Sequence, residues 1–521
     1  MEHLNQNVDF SDLPVEVRGR VALSEGVLHI SNELRGHMAL DDALSRLRSR
    51  LRQQNVLRWV WHTPQEFDRL YGNATRVRIE EVGDNEVKDF ALKLLVKAHE
   101  MEASDIHITN HGHYAQIDFR CLGMLQAYER SLPGEFAARV SSVLYQTMGT
   151  QTGSSYTPSK RQDGRIANRD FLPEGVFSVR IHTEPIQSAA AKDGQGTFMA
   201  LRLLYDATHA TGSLDSRLTS LGFLPEQRGI FERLSERSGL VVISGPTGHG
   251  KTTLLSHTLE AMAEQWPQRN HMSIEDPPEY PLRGVKQIMV SSRELESDDE
   301  RDAAYTAAIA GAMRSDMDTG MIGEIRYRSA AQAAINAALT GHGIWTTIHA
   351  SNALAIIPRF TELGIDRHSL CNPNVLSGLS YQRLLPRLCP RCKVRLVDLS
   401  EKEARTSLPM ATIQRATRLV DPGRIYVRGE GCPECSHRGL KGQSVAAEVI
   451  DLDATLLHYL REDQHTAAYR YWKEEQHGIT HVAHALKLIE DGEVDPYLAE
   501  IRLGVNLDHD TASNLLAEKV L

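Results

Sequence analysis

Basic charge, cysteine and long apolar runs are all scarce in this sequence. Asp and Glu outnumber Lys and Arg by 68 to 58, which gives a formal net charge of -10. Because polyanion binding rests on clustered Lys and Arg, this charge argues against nucleic acid as a direct partner. No run approaches the roughly 20 apolar residues of a membrane span, and the N-terminus lacks a signal-peptide pattern. We expect a cytoplasmic protein that reaches membranes only through partners.

The chain has only six cysteines, and their spacing is informative. Four of them form two Cys-x-x-Cys pairs, Cys389 with Cys392 and Cys432 with Cys435. In a reducing compartment, such pairs indicate metal rather than disulfides. Four thiolates are the tetrahedral set that Zn²⁺ prefers, so the pairs predict a structural zinc site. A vacant tetrathiol or a redox pair is the alternative, and Cys121 and Cys371 are interpreted as small buried hydrophobes.

The length of 521 residues predicts several domains. The predicted parts are a mixed helical N-terminal module (1–82), an α+β domain (83–207), a linker rich in Thr, Ser and Gly (208–222), an α/β domain (223–385), a tetracysteine subdomain (386–448) and a helical C-terminal subdomain (449–521). In the α/β domain, strand-like and helix-like runs alternate, which predicts a parallel sheet flanked by helices. The clustered aromatics of "VLRWVWHTPQEFDRLYG" fit either a core or a docking face, and we favour core.

A phosphate-binding loop is the strongest chemical signal. It comprises Gly245, Pro246, Thr247, Gly248, His249, Gly250, Lys251, Thr252 and Thr253, which match G-x-x-x-x-G-K-[ST] between a strand and a helix. Glycines let backbone N–H groups approach phosphates, Lys251 reaches the β- and γ-oxygens and Thr252 holds Mg²⁺. A chance glycine turn is the alternative.

Acidic residues follow the loop at two predicted strand ends. "SIEDPPEY" contains Glu275, Asp276 and Glu279, of which a carboxylate near the γ-phosphate would polarise water. "GMIGEIR" places Glu324 at the carboxyl end of a strand, the side on which α/β sheets bind ligands. The alternative for each cluster is a solvated loop acid.

Histidines flank the next predicted strand, "GIWTTI". Thr347, His349 and Asn352 lie at its end, and His342 precedes it. We expect His342 and His349 to frame a phosphate sensor, although a lone histidine is more often structural.

The phosphate-binding loop, the two acidic motifs and the histidine motif are here called the four boxes. Together with the cysteine pairs, they follow one another in an order that is similar to that of the type II secretion and type IV pilus assembly ATPases, which this chain resembles. The resemblance covers roughly residues 90 to 500, and "ASDIHI" (103–108) and "KRQDGRI" (160–166) are similar to the family's N2 domain. It implies an α/β multidomain fold in which a RecA-like P-loop motor domain follows an α+β, PAS-like N2 domain. A zinc-knuckle insert and a helical C-terminal tail complete the implied fold.

The resemblance also implies residue roles and partners. The implied catalytic residues are Glu324, Glu279, Lys251, Arg180, Arg202 and His349. Arg180 and Arg202, and less firmly Arg165, would bring a fork of donors to the nucleotide. The implied cofactors are ATP, Mg²⁺ and structural Zn²⁺. The implied assembly is a homo-hexamer, and the implied partners are an inner-membrane platform protein and its cytoplasmic assembly proteins. Residues 1–82 are implied to dock on these partners, at the cytoplasmic face of the inner membrane.

Departures from the family pattern leave alternatives open. His249 stands where relatives commonly have Ser, and we expect that position to act chiefly through its backbone. The strand that leads to Glu324, the Walker B strand of the family, departs from the usual pattern at Met317, Thr319, Gly320 and Tyr327. After the second cysteine pair, Gln443 replaces an Arg. The tetracysteine insert favours assembly or secretion over retraction, and the divergence favours a type IVb or plasmid-encoded pilus system. The other hypotheses are a conjugation-type (type IV secretion) ATPase and a zinc-ribbon nucleic-acid translocase.

Overall fold

A computed structural model describes most of the chain. The described residues are 21–24, 27–34, 58–63, 66–67, 84–150, 155–191, 194–206, 212–279, 281–290, 298–400 and 408–510. The chain divides after Asp206 into an N-terminal and a C-terminal unit, and each is described by itself. In the described ranges, no helix is long and apolar enough to cross a membrane.

The first part of the N-terminal unit is a small sheet. Its strands are β1 (Val21–Ser24), β2 (Val27–Ser31) and β3 (Arg58–His62). β1 pairs antiparallel and β3 parallel with β2. The prediction of a helical module is wrong for these residues, because β-branched and aromatic side chains favour strands. Trp59 is 52% exposed, so the core interpretation is also wrong for that side chain. The rest of 1–82 lies almost entirely outside the described residues.

The second part is the predicted α+β domain. Its elements are α1 (Asp84–Glu100), β4 (Ala103–Asn110), β5 (Tyr114–Cys121), β6 (Met124–Pro133), α2 (Gly134–Ser142), a π-helical turn (Val143–Thr147), β7 (Gln162–Ile166), β8 (Val176–Gln187) and β9 (Gln195–Tyr205). The strands form one antiparallel sheet in the order β6-β5-β4-β9-β8-β7. Leu95 of α1 and Phe136 of α2 share a buried cluster with Ile106 and Phe119 of the sheet. The helices therefore cover one sheet face.

The C-terminal unit begins with the predicted α/β motor domain. Its elements are α3 (Leu214–Leu221), α4 (Pro225–Ser235), β10 (Gly239–Ser244), α5 (Lys251–Gln265), β11 (His271–Glu275), β12 (Lys286–Met289), α6 (Asp298–Arg314), β13 (Thr319–Ile322), α7 (Arg328–Leu339), β14 (Gly343–Ile348), α8 (Ile356–Glu362), α9 (Arg367–Leu370) and β15 (Leu376–Leu388). It continues with β16 (Val394–Arg395), α10 (Met410–Leu419), β17 (Tyr426–Val427), β18 (Leu440–Asp451), α11 (Ala454–Arg461), α12 (His465–Glu474), α13 (His481–Glu490) and α14 (Pro496–Leu503).

A seven-stranded sheet organises this unit, in the order β12-β11-β13-β14-β10-β15-β18. All neighbouring strands are parallel except β18, which is antiparallel to β15. Leu240 and Val242 of β10 join one core, and Val241 and Ile243 join another, since alternate residues of a strand face opposite sides. The sheet is thus buried on both faces, and the carboxyl ends of β10, β11, β13 and β14 meet at one edge.

The predicted linker 208–222 is helical over α3, so the prediction is wrong for Leu214–Leu221. The Ser213 hydroxyl accepts the backbone N–H of Ser216 and caps the helix. Leu214 and Leu218 are buried in the ATPase core. A capping serine before apolar residues four apart is a helix signal that the Thr, Ser and Gly content obscured.

The predicted limits of the tetracysteine subdomain, 386 and 448, cut through strands. β15 extends to Leu388, and β18 begins at Leu440 and runs to Asp451. The cysteine segment therefore lies between two strands of the central sheet. The segment also has a hydrophobic core, because Leu396 and Ile425 share a buried cluster with Leu488 of α13 and Leu503 of α14. The insert therefore packs with α13 and α14.

A buried histidine on α13 is held by two hydrogen bonds to backbone groups. His484 Nδ1 accepts the Ala447 N–H at 3.1 Å, and Nε2–H donates to the Gly222 carbonyl at 3.1 Å. Burial lowers the pKa of His484 from 6.5 to about 4, although the bond that its ring donates to the Gly222 carbonyl opposes that shift.

We expect acid to destabilise the wild type more than His484→Gln. A depressed histidine pKa contributes stability that is complete above the unfolded pKa of 6.5 and is lost as pH falls through the folded pKa of about 4. The shift corresponds to about 3 kcal/mol. Urea unfolding at several pH values would measure it, and an equal acid dependence in wild type and variant would contradict the assignment.

Candidate active site

The phosphate-binding loop connects β10 to α5 and packs on β15. A Cβ on Gly245 would lie 2.5 Å from the Gln382 carbonyl oxygen, and one on Gly250 would lie 3.3 Å from Gln382 Nε2. Both glycines also have positive φ angles, 148° and 75°. Only glycine combines this backbone with this close approach. The loop that the sequence motif predicts therefore has its expected strand-to-helix context.

Lys251 opens α5 and turns back over the loop. Its Nζ donates to the carbonyls of Gly245 at 2.7 Å and Pro246 at 3.2 Å, and lies 3.5 Å from His349 Nδ1. Burial lowers the pKa of Lys251 to about 8, and nearby Glu324 partly opposes that shift. Thr252 and Thr253 are half-buried in the first turn of the same helix. A cation and a helix N-terminus thus meet at the end of β10.

Glu324 follows β13 at the same edge of the sheet. Its carboxylate lies 3.2 Å from His349 Nε2 and accepts from Arg326 Nη2 at 2.8 Å. The pKa of His349 is lowered, chiefly by burial and then by the charge of Lys251. Glu324 and a bond with the Gly245 backbone partly oppose this shift. The structure therefore brings together Lys251, Glu324 and His349, three residues that the sequence boxes predict separately.

The acidic turn after β11 is held by hydrogen bonds. Glu275 is buried and its carboxylate accepts from Ser273 Oγ at 2.7 Å and Gln287 Nε2 at 3.0 Å. Burial raises the pKa of Glu275. The hydrogen bonds that its carboxylate accepts, one of them from the Glu279 backbone, partly oppose this shift. A cis Asp276–Pro277 bond follows. Glu275 thus shapes the turn, and half-buried Glu279 remains the predicted catalytic member of this box.

Tyr305 of α6 is a site residue that the sequence boxes did not single out. Burial raises its pKa, and the nearby carboxylates of Asp276, Glu275 and Glu324 raise it further. It therefore lies near both the acidic turn and the Glu324 strand end. Nothing in the alanine-rich sequence of α6 distinguishes this tyrosine from a core residue.

Glu448 of β18 is a second missed residue. It is buried, and its carboxylate accepts from the Ala353 N–H at 2.8 Å and contacts His481 Nδ1 at 2.6 Å. It thereby links the loop after β14 to α13. The acid that ends "GLKGQSVAAE" was the available signal.

The prediction that His342 and His349 frame one phosphate sensor is wrong for His342. His342 precedes β14 and its Nδ1 lies 3.0 Å from the Ala337 carbonyl and from Thr340 Oγ1 at the end of α7. The six residues of β14 separate it from His349 by about 20 Å. Thr347 Oγ1 donates to the Gly323 carbonyl at 2.7 Å, and Asn352 Oδ1 accepts the Ala355 N–H. Those two side chains therefore shape the site locally.

His249 does more than the expected backbone role. Its ring is buried, with 7% exposed, and its Nδ1 accepts the Leu384 N–H at 2.8 Å. The expectation was wrong because it considered the loop alone, whereas the contact comes from β15, 135 residues further along the chain.

The predicted arginines lie in the N-terminal unit. Arg165, Arg180 and Arg202 are neighbours in register across β7, β8 and β9, and Asp105 of β4 lies beside Arg202. Arg202 Nε donates to Asp105 Oδ1 at 2.9 Å. These arginines form one row across the sheet, and their action on a nucleotide stays a prediction.

The four paired cysteines come together as predicted. The Sγ atoms lie within 4.8 Å of one another, with Cys389–Cys432, Cys392–Cys435 and Cys432–Cys435 each 3.8 Å apart. Thiolates about 2.3 Å from one zinc ion have tetrahedral edges of about 3.8 Å, so the cluster fits zinc. Burial opposes ionisation of Cys435, but backbone N–H bonds from Cys432 and Gly439 contribute to lowering its pKa to about 6. The donor set is one that can hold zinc.

The loop, strand-end carboxylate and parallel sheet define a P-loop nucleotide-binding protein. The chain matches the model of a family described as Type II/IV secretion system protein over residues 80–502. It belongs to that family, which confirms the resemblance.

Curated relatives agree with this membership. The chain is 31% identical to the type IV pilus assembly ATPase PilB of Thermus thermophilus over 382 residues, 73% of this chain and 38% of PilB. It is 30% identical to the type II secretion system ATPase E of Vibrio cholerae over 364 residues, 69% of this chain and 64% of that protein. The matched region thus spans less than two thirds of either relative. The ATPase DotB of Legionella pneumophila shares the fold, with a TM-score of 0.53, 20% identity and coverage of 79% of this chain and 94% of DotB.

Proposed function

We propose that this protein hydrolyses ATP to drive assembly of a type IV pilus or a type II secretion pseudopilus. The observation that carries the proposal is the convergence of Glu324, His349 and Lys251 at the phosphate-binding loop. Family membership supports the choice of machine, since named relatives are a pilus assembly ATPase and a type II secretion ATPase.

Each side chain of this cluster has a chemical task. Lys251 releases the loop carbonyls and binds the β- and γ-phosphates, where opposite charge restores its full protonation. Glu324 orients the attacking water and accepts its proton, with His349 and Arg326 holding the carboxylate. Glu279 supports the same water from the acidic turn, and Thr252 supplies a hydroxyl ligand for Mg²⁺. Magnesium, when bound, neutralises charge that develops on the phosphates.

The N-terminal unit supplies the moving part in this proposal. Arg180 and Arg202 each offer a fork of donors that would stabilise charge on the γ-phosphate. Six copies form a ring at the cytoplasmic face of the inner membrane. ATP hydrolysis changes the shape of the ring, and this change acts on a platform protein. Cross-linked hexamers that form only with nucleotide, and turnover raised by a platform protein's cytosolic domain, are the expected results. DNA-stimulated turnover instead would favour the zinc-ribbon translocase.

The direct test of the site is Lys251→Ala. Removing a cation that pairs with buried phosphate should weaken ATP binding by about a hundredfold. Binding of a fluorescent ATP analogue to the purified full chain measures this loss. The matched control is Lys487→Ala, which removes an exposed lysine of α13 that pairs with Glu490 and Asp491. Equal affinity in the two variants would refute the site assignment.

A further inference from the structure

The side chain of His249 is an unexpected contact between the phosphate-binding loop and β15. Its Nδ1 accepts the Leu384 N–H at 2.8 Å, and its own carbonyl accepts from Gln382 Nε2 at 2.7 Å. Both the ring and Gln382 are buried. One residue of the loop is therefore held through its ring and its backbone by alternate residues of one strand.

This contact exists because β15 is longer than its neighbour β10. The pairing of the two strands ends at Ser244 opposite Tyr381, whereas β15 continues to Leu388. Beyond Tyr381, this edge of β15 is no longer paired with β10, and the Leu384 N–H meets the loop. A buried N–H without an acceptor costs about 1–3 kcal/mol, so an acceptor is required there. His249 provides it for Leu384.

The same peptide edge is occupied from a second direction. Arg502 of α14 donates from Nε to the Leu384 carbonyl at 3.2 Å, and Arg383 donates from Nη1 to the Arg502 carbonyl at 3.2 Å. The N–H of Leu384 is thus hydrogen-bonded to His249, and its C=O is hydrogen-bonded to Arg502. This arrangement gives the C-terminal helix a short route of hydrogen bonds to the phosphate-binding loop.

We propose that His249 is a positioning residue that fastens the phosphate-binding loop to β15 and, through Leu384, connects it to Arg502 of α14. The inference rests on the proposed ATP hydrolysis. The ring holds the loop backbone between Gly248 and Gly250 in the shape that receives phosphates. A loop freed from this bond samples other shapes, and misplacement by about 1 Å can cost about a hundredfold in rate.

The protonation state of His249 is consistent with this role. Nδ1 accepts a hydrogen bond only when it carries no proton. Burial, followed by the charges of Arg502, Arg383 and Lys251, lowers the pKa of His249 to about 4. The ring is therefore neutral and able to accept at neutral pH.

Three substitutions test the proposal through the position of one acceptor atom. His249→Asn places its amide oxygen near the position of Nδ1 and should keep kcat/KM for ATP within about threefold of wild type. His249→Gln carries the same group one bond further out and should lower kcat/KM by tenfold or more, as should His249→Ala. Steady-state hydrolysis by the full chain, with nucleotide affinity and thermal midpoint measured alongside, gives the comparison.

The Asn and Gln pair separates positioning from packing. Both are polar side chains of similar size, so a role in packing alone predicts equal activity for the two. Equal activity, or wild-type activity in His249→Ala, would overturn the inference. If wild type itself hydrolyses no ATP, the proposed function fails instead, and the two failures are thereby distinguished.

The connection to α14 has its own measurement. Arg502→Leu removes the donor to the Leu384 carbonyl. If Leu384 connects the two residues, the effects of His249→Ala and Arg502→Leu on kcat/KM are not multiplicative in the double variant. Multiplicative effects would refute the connection and leave His249 as a local fastening.

Discussion

Glu324→Gln should lower the rate of ATP turnover about a thousandfold while leaving ATP binding intact. The change keeps the shape of a side chain that contacts His349 Nε2 and Arg326 Nη2, but removes the negative charge that accepts a proton from water. Phosphate release under saturating ATP, together with analogue binding, separates the two effects. A variant that binds ATP and still hydrolyses it at the wild-type rate would show that Glu324 is not the base.

Asp318→Asn is the matched control for that experiment. Asp318 immediately precedes β13, whereas Glu324 follows it, and its carboxylate accepts the Asn270 N–H at 2.7 Å at the opposite end of the strand. Its replacement should leave turnover nearly unchanged. Glu279→Gln tests the other predicted carboxylate. If Glu279→Gln has the larger effect, the base belongs to the acidic turn after β11.

Cys389→Ser should release the bound zinc, since loss of one of four thiolates breaks a closed tetrahedral site. Structural zinc contributes about 10–16 kcal/mol in small zinc-binding peptides, so the loss is expected to loosen the knuckle. The core shared with α13 and α14 should keep the rest of the C-terminal unit folded. Elemental analysis should find one zinc per wild-type chain and none in the variant, and limited proteolysis should cut near the cysteines.

Cys371→Ser provides the comparison for zinc. Cys371 is buried in the ATPase core, outside the four-cysteine cluster. Its replacement alters packing but should leave the zinc content at one per chain. A wild-type chain without zinc, or a Cys389→Ser variant that keeps it, would contradict the zinc assignment.

Local patterns were sufficient for much of the fold and the site. The alternation of strand and helix signals predicted the parallel sheet, and the motifs at Lys251, Glu324 and His349 predicted residues that meet at one edge. The predictions failed where composition was taken for structure. Ser and Thr around α3 suggested a linker, and the cysteine spacing suggested limits for an insert whose flanks are long strands of the central sheet.

The sequence by itself determined the chemistry of this protein, because phosphate loops, strand-end acids and paired cysteines are encoded by residues close together in the chain. Only the tertiary structure decided how those groups are supported. Glu448 contacts Ala353, and His249 contacts Leu384, across 95 and 135 residues. The contact of His249 arises because β15 extends past β10 and leaves a peptide N–H to be paired, which is a property of the assembled sheet.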